Sequence, residues 1–259
     1  SGTAPLVDSL ARQLLDDLPA GALIAGYALV RLAARLGHES LVTPPPERLE
    51  KLSQTCSGWR RGGYAMDTVL SGRGVPVQDC PPAPDLSAGD PWSWHRIGPL
   101  APDVMRRRRL IDVVRSEGGG LSVWAMFRDT IGETDGKESV LHEYVVELEI
   151  MPSADARPGR DAGVGGDAGI GGDAGPVGDV IAGIVARPRV LPFPECPQAA
   201  AMVERLVGLR LSELPRAVPQ VLTGADCCTH LNDLLRSLGE HAFFGEAHSL
   251  LFIDAEDLA

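Results

Sequence analysis

The sequence lacks the short signatures that identify an enzyme outright. It has no G-x-S-x-G elbow, no P-loop, and no dinucleotide-binding glycine fingerprint placed after a strand. Acyl transfer from a nucleophile elbow, P-loop nucleotide chemistry and Rossmann-type cofactor binding therefore lose their usual support. Lysine is nearly absent, standing only at Lys51 and Lys137, and arginine supplies the rest of the positive charge. That bias fits a GC-rich bacterial genome. Basic charge is also short overall. The net charge is −11, which argues against non-specific nucleic-acid binding, because that needs a basic face. The one basic run, Arg106 to Arg109, is too short to change this and is expected to start a strand or pair with nearby carboxylates. No segment reads as a signal peptide or a membrane span. Residues 20–36 are apolar, but Arg31 and Arg35 interrupt them and Asp16 and Asp17 precede them.

What is present suits a folded enzyme or binding protein. The 259 residues, 44% hydrophobic and 23% charged, suffice for one large domain, or one domain with an extension, without disulfides. Five cysteines, an odd number with no paired-Cys motif, read as free or metal-bound thiols in a reducing cytoplasm.

The hydrophobic period divides the chain. Leu6, Leu10, Leu14 and Leu18 repeat at helical spacing up to Pro19. Residues 20–36 read as a second helix, apolar all round and so expected to be buried, with Gly37 as its stop. Short helices follow Pro46 and run through Met66, Val69 and Leu70. This helical N-terminal extension, residues 1–90, is expected to pack on the body and ends in a Pro-rich linker. From residue 91 to 259 the period changes. Leu110–Arg115, Leu121–Arg128, His142–Ile150 and Val180–Ala186 read as strands, and helices follow Cys196, Leu211 and Cys228. Pro197 sits in the first of these helices and Gly208 at its end, and Gly239 is expected to stop the last. Strands followed by helices give an α+β class: an antiparallel sheet of about four strands packed with C-terminal helices, plus the helical layer. Between the last two strands, residues 161–175 repeat a Gly/Asp unit barely three times. That is too few turns for a calcium-binding β-roll, so a flexible insertion is expected. The apolar tail with Phe243, Phe244 and Phe252 is expected to pack back on the body.

The chemistry-bearing stretch is Cys228-Thr229-His230-Leu231. A thiol at a helix start is expected to ionise more easily, because unpaired amides there favour a thiolate. His230 is two residues away. Cys196 also precedes a helix. His142 shares the core-directed face of its strand with Tyr144, Val146, Leu148 and Ile150, because side chains alternate with period two. His142, Cys196, Cys228 and His230 are therefore the expected metal ligands, with Cys228 and His230 as candidate catalytic groups. Mixed nitrogen and sulfur donors suit zinc, with iron as runner-up. Replacing Cys196 or Cys228 with Ser is expected to release the metal. Asp129, Glu143, Glu195 and Asp233 are candidate general bases that spacing alone does not rank. Trp94-His95-Arg96 could line a pocket. Cys56 and Cys80 are expected to be structural, and Cys227, which cannot easily point the same way as its neighbour Cys228, to be spare.

The residues Arg106-Arg107-Arg108-Arg109-Leu110-Ile111-Asp112, His142-Glu143-Tyr144, Leu191-Pro192-Phe193-Pro194-Glu195-Cys196 and Cys228-Thr229-His230-Leu231-Asn232-Asp233 make the chain resemble the bacterial domain-of-unknown-function family 2889. Residues 142–238 also look like the iron–sulfur scaffold fold of the IscU, NifU and SufE type. His142 stands there where the scaffold has Cys. That second resemblance implies a fold in which a ligand Cys follows a strand and another Cys opens the last helix.

Three functions stay open: a metalloenzyme acting on a small apolar organic substrate, a scaffold for Fe–S clusters or persulfide sulfur, and a structural zinc domain without catalysis. A small-molecule ligand is the expected partner; nucleic acid and membrane are not. The oligomeric state is left open.

Overall fold

A computed structural model describes residues 10–38, 43–86, 98–115, 120–151 and 180–240. The Gly/Asp insertion at 161–175, Trp94-His95-Arg96 and the apolar tail lie outside the described residues. The architecture is α+β: a four-stranded antiparallel meander in the order β1-β2-β3-β4, with helices. The strands are β1 (Met105–Arg115), β2 (Leu121–Gly132), β3 (Glu138–Met151) and β4 (Val180–Val190). The helices are α1 (Leu10–Arg35), α2 (Pro46–Leu52), α3 (Tyr64–Leu70), α4 (Gln198–Ala201), α5 (Leu214–Val221) and α6 (Thr229–Glu240). No helix among the described residues is long and apolar enough to cross a membrane.

Alternation builds the core. Leu121, Val123, Ala125 and Phe127 of β2 and Tyr144, Val146, Leu148 and Ile150 of β3 point to one face. There they meet Leu206, Leu214, Val218, Leu231, Leu234, Leu235 and Leu238 from the C-terminal helical elements. Burying one such large apolar side chain contributes about 1.5–3 kcal/mol. Pro188 is tolerated in β4 because β4 is an edge strand. The opposite face buries Met126, Arg128, Thr130 and Val145. Arg128 is held there by Glu143 at 2.6 Å and by the Pro84 carbonyl at 2.9 Å.

Three expectations need correction. The N-terminal leucine helix does not end at Pro19; α1 runs through it as one 26-residue helix. Its apolar stretch is not enclosed: Ile24 and Ala33 are buried, whereas Leu18, Leu29 and Leu36 are exposed. Apolar composition fixed the helix but could not supply neighbours for every side. Gly239 is also no stop, because α6 continues to Glu240. A Cβ at Gly239 would lie 2.4 Å from Pro215 Cδ and 2.7 Å from the Leu211 carbonyl oxygen, so the glycine is there to let the preceding helical segment approach. Gly208 does end its helical segment, at φ +88°. That segment is α4 continued by a tighter turn through Leu206.

The N-terminal helices touch the second half at specific points. Arg31 makes a two-pronged pair with Glu133 at 2.7 and 2.9 Å. Arg35 pairs with Asp103. The Ser57 amide donates to the Cys227 carbonyl at 2.8 Å.

Candidate metal centre

The centre begins as a row across the sheet. The register puts Arg107 of β1 opposite Asp129 of β2, and Asp129 opposite His142 of β3. Cation, carboxylate and imidazole thus stand side by side on the core face. Phe127, two residues from Asp129, lies on the same face, and the Arg107 guanidinium sits 4.9 Å from the centre of its ring. A bulge between the Asp129 and Thr130 pairings brings His142 into the row: Thr130 pairs with Val140, so Leu141 is the extra residue.

The helix α6 supplies the other half. Its first turn carries His230, and Asp233 follows three residues later on the same side. The rings of His230 and His142 stack with centroids 3.8 Å apart and planes 21° apart. Asp129 Oδ2 lies 4.0 Å from His142 Nδ1 and 3.9 Å from His230 Nε2. Among the described residues, Asp129, His142 and His230 form the one group of three ligand-bearing side chains whose donor atoms all lie within 4.8 Å of one another.

Arg107 ties the two halves together. Its Nε and Nη2 donate to the two oxygens of Asp129 at 2.6 and 2.7 Å, and its Nη1 donates to Asp233 Oδ2 at 2.7 Å. Arg109 donates to the same Asp233 oxygen. All four residues of the basic run pair with carboxylates, since Arg106 and Arg108 both reach Glu138. The run therefore starts a strand and neutralises acids, as its sequence suggests.

Burial sets the protonation states. It pushes His142 down to about 3, with the Arg107 charge adding to the effect. His230 falls well below its usual value through burial, then His142, then Arg107. Both imidazoles are therefore neutral, the form that binds a metal. Asp129 is raised by burial, against the opposing pull of Arg107. His142 Nδ1 is buried and has no hydrogen-bond partner among the described residues.

The cysteines belong to other surroundings. Cys196 and Cys228 are not members of the Asp129–His142–His230 group. Cys196 is buried with Phe193 and Ala65, and a Cβ at Gly58 would lie 2.8 Å from its sulfur. Its carbonyl accepts the Tyr144 hydroxyl at 3.1 Å. Cys228 caps the start of α6, its carbonyl accepting the Asn232 amide at 2.8 Å, and its side chain joins the apolar core. The expectation that helix starts favour thiolates is corrected here. Burial pushes Cys196 up to about 12 and raises Cys228 as well, outweighing the amides of Leu231 and His230 that pull Cys228 down. Cys227 donates to the Gly224 carbonyl at 3.2 Å.

Sequence reasoning singled out His142 and His230, and left Asp129 and Asp233 unranked among four acids. Arg107 was read only as a pairing residue. The strands read at 110–115 and 121–128 hint at the Arg107–Asp129 pairing; nothing in the sequence marks the bulge that adds His142.

No curated protein and no solved structure compared with the chain matches it. Residues 178–244, from just before β4 to just past α6 and including His230 and Asp233, match the model of the family described as Protein of unknown function (DUF2889).

Proposed function

We propose that Asp129, His142 and His230 hold one divalent metal and that the protein is a metal-dependent enzyme acting on a small organic substrate. One observation carries this reading: three neutral-or-anionic donors lie within 4.8 Å, one of them a buried imidazole nitrogen that lacks a partner. Burying such a nitrogen without a partner costs about 1–3 kcal/mol, and a metal ion removes that cost. Two imidazoles and one carboxylate suit zinc, and equally the iron(II) of two-His-one-carboxylate sites. Three protein ligands leave a position for water or substrate, unlike a closed structural site. When bound, zinc supplies a Lewis acid that polarises a substrate oxygen or acidifies water. Arg107 orients the Asp129 carboxylate, as hydrogen bonds from neighbouring residues do for metal-ligating carboxylates.

A specific observation favours a second reading. Arg107 already covers both Asp129 oxygens, and the two histidines stack face to face. On that reading the cluster is a metal-free polar network pinning α6 to the sheet. The iron–sulfur scaffold reading draws less support, since its thiol ligands Cys196 and Cys228 sit outside the cluster.

The test is the metal content of protein purified without a metal-affinity tag. About one zinc or iron per chain is expected in the wild type, lost in His142→Ala and His230→Ala and kept in Cys196→Ser and Cys228→Ser. Loss from the Cys variants would restore the four-residue set read from the sequence. A wild type that takes up no metal on dialysis against zinc or iron(II) supports the polar network.

A further inference from the structure

The N-terminal layer and the chain entering α6 meet at two cysteines. The Ser57 amide donates to the Cys227 carbonyl at 2.8 Å, and the Cys227 sulfur lies 3.6 Å from the Thr55 carbonyl oxygen. Both neighbours of Cys56 therefore touch Cys227. Cys56 (φ −161°, ψ 171°) and Cys227 (φ −112°, ψ 172°) are extended, so they lie side by side as paired strand residues do. Paired chains run about 4.8 Å apart, inside the roughly 4.4–6.8 Å between Cα atoms that a disulfide spans. Both cysteines are free. We infer that Cys56 and Cys227 are a redox pair, which hydrogen peroxide closes into a disulfide that locks the N-terminal layer to the start of α6.

The surroundings assign the roles. Thr55 and Asp226 are exposed, Cys56 is half-buried and Cys227 is buried, so the oxidant meets Cys56 first. The amides of Trp59 and Gly58 also pull the Cys56 thiol down, against the larger upward push of burial. Cys56 Sγ attacks the peroxide: an S–O bond forms, the O–O bond breaks, and the leaving hydroxide takes up the thiol proton as water. Cys227 Sγ then attacks the sulfenic acid: the S–S bond forms, the S–O bond breaks, and the oxygen leaves as a second water. Two thiols lose two electrons and one peroxide becomes two waters. The other thiols are placed less well. Cys228 follows extended Cys227, and side chains of successive extended residues point to opposite sides. Cys196 Sγ faces Gly58, two residues beyond Cys56, and Cys80 lies beside Tyr27. No thiol joins a group with metal-holding spacing among the described residues, which favours oxidation over ligation. The pair works whether or not the Asp129–His142–His230 group holds a metal.

The experiment uses the full chain, reduced with dithiothreitol, freed of reductant and treated with hydrogen peroxide. Remaining thiols are alkylated, and the peptides are mapped by mass spectrometry without reduction. Two of the five free thiols are expected to disappear into one link between the peptide of Cys56 and the peptide shared by Cys227 and Cys228. Dithiothreitol restores all five. Cys227→Ala is expected to abolish the link and Cys228→Ala to keep it. The oxidised wild type is expected to unfold at a higher urea concentration than the reduced form, because the bond closes a long loop. Cys56→Ala is expected to show no such rise. A link from Cys56 to Cys196 or Cys228, a link between two chains, or five thiols that stay free overturns the pairing. So does a link that lowers the urea midpoint, since the two residues would then meet only by distorting the fold.

Discussion

The same helix start serves two opposite environments. Cys228 and His230 are two residues apart, yet Cys228 enters the apolar core and His230 enters the charged row of Arg107, Asp129 and His142. At the polar end, burial is offset by partners: every charged group there has an opposite charge within hydrogen-bonding distance. At the thiol end, burial meets no counter-charge among the described residues, and it holds the thiols towards their protonated form. Helix position thus says where a side chain starts, and the surface it faces decides its chemistry. A thiolate near a helix N-terminus needs solvent or a cation as well as amides, and Cys228 is buried with no cation acting on it among the described residues.

The most disruptive change at the polar end is Asp129→Ala. It removes one of the two carboxylates that pair with Arg107, leaving Asp233 alone against a guanidinium that is 9% exposed and cannot recover water in place. Breaking a buried pair by deleting one partner costs about 3–5 kcal/mol. Urea unfolding should show a lower midpoint of that size, and the metal should be lost. Asp129→Asn keeps shape and one acceptor, so it should cost less than Asp129→Ala. A variant as stable as the wild type would show that the network is solvated and the contrast between the two ends false.

At the thiol end the sensitive position is Gly58. A Cβ there would lie 2.8 Å from Cys196 Sγ and 2.9 Å from Phe193 Cδ2. Both neighbours are buried side chains in a small cluster with Ala65, and they must shift. Overpacking of this kind costs about 1–3 kcal/mol. Gly58→Ala should therefore lower the midpoint and leave metal content unchanged, separating packing from ligation.

These two sites also show what could be read from the residues. The strand alternation of His142, Tyr144, Val146, Leu148 and Ile150 named the correct face, because period two survives wherever pairing is regular. The Arg106–Arg109 run was legible as a paired strand, and Cys228 as the start of a helix. The row itself was not. The tight turn before β3 sets Thr130 against Val140, and a regular hairpin would continue with Asp129 against Leu141. The bulge replaces Leu141 with His142, and a one-residue slip moves a side chain to the other face. Bulges leave no mark in hydrophobic pattern. The cysteines misled for a different reason: a helix start is local information, whereas burial depends on the sheet beneath it. In α1 the leucine period predicted a helix, but whether Leu18 and Leu29 are covered is a tertiary matter.

The protonation contrast predicts an alkaline limb of stability. Burial raises Cys196 to about 12 and Cys227 to about 11, while an unfolded thiol ionises near pH ~8.5. Above that pH the unfolded chain sheds protons that the folded chain keeps, so it binds fewer protons and stability falls as pH rises. The loss begins near the unfolded value and continues until the folded thiols ionise. Each thiol contributes a slope of about 1.4 kcal/mol per pH unit within that window. Cys196→Ala and Cys227→Ala should each make the limb shallower. A limb unchanged in both variants would show that these thiols meet water in the folded state.

The smallest effect is expected from a pair that copies the Arg107–Asp129 geometry in water. Arg187 donates to both oxygens of Glu147 at 2.9 and 3.0 Å, but the two side chains are 55% and 44% exposed. The pairing depresses Glu147 and raises Arg187 in the same directions as a buried pair would. Solvent screens such a pair, and either partner left alone is rehydrated where it stands. Glu147→Ala should therefore move the urea midpoint less than any change above, and the residual shift should vanish at high salt. Asp129→Ala should keep its full effect at the same salt concentration, because its partner is out of the solvent. If the two variants responded to salt alike, geometry and not burial would govern both pairs, and the distinction between the two regions would fail at its root.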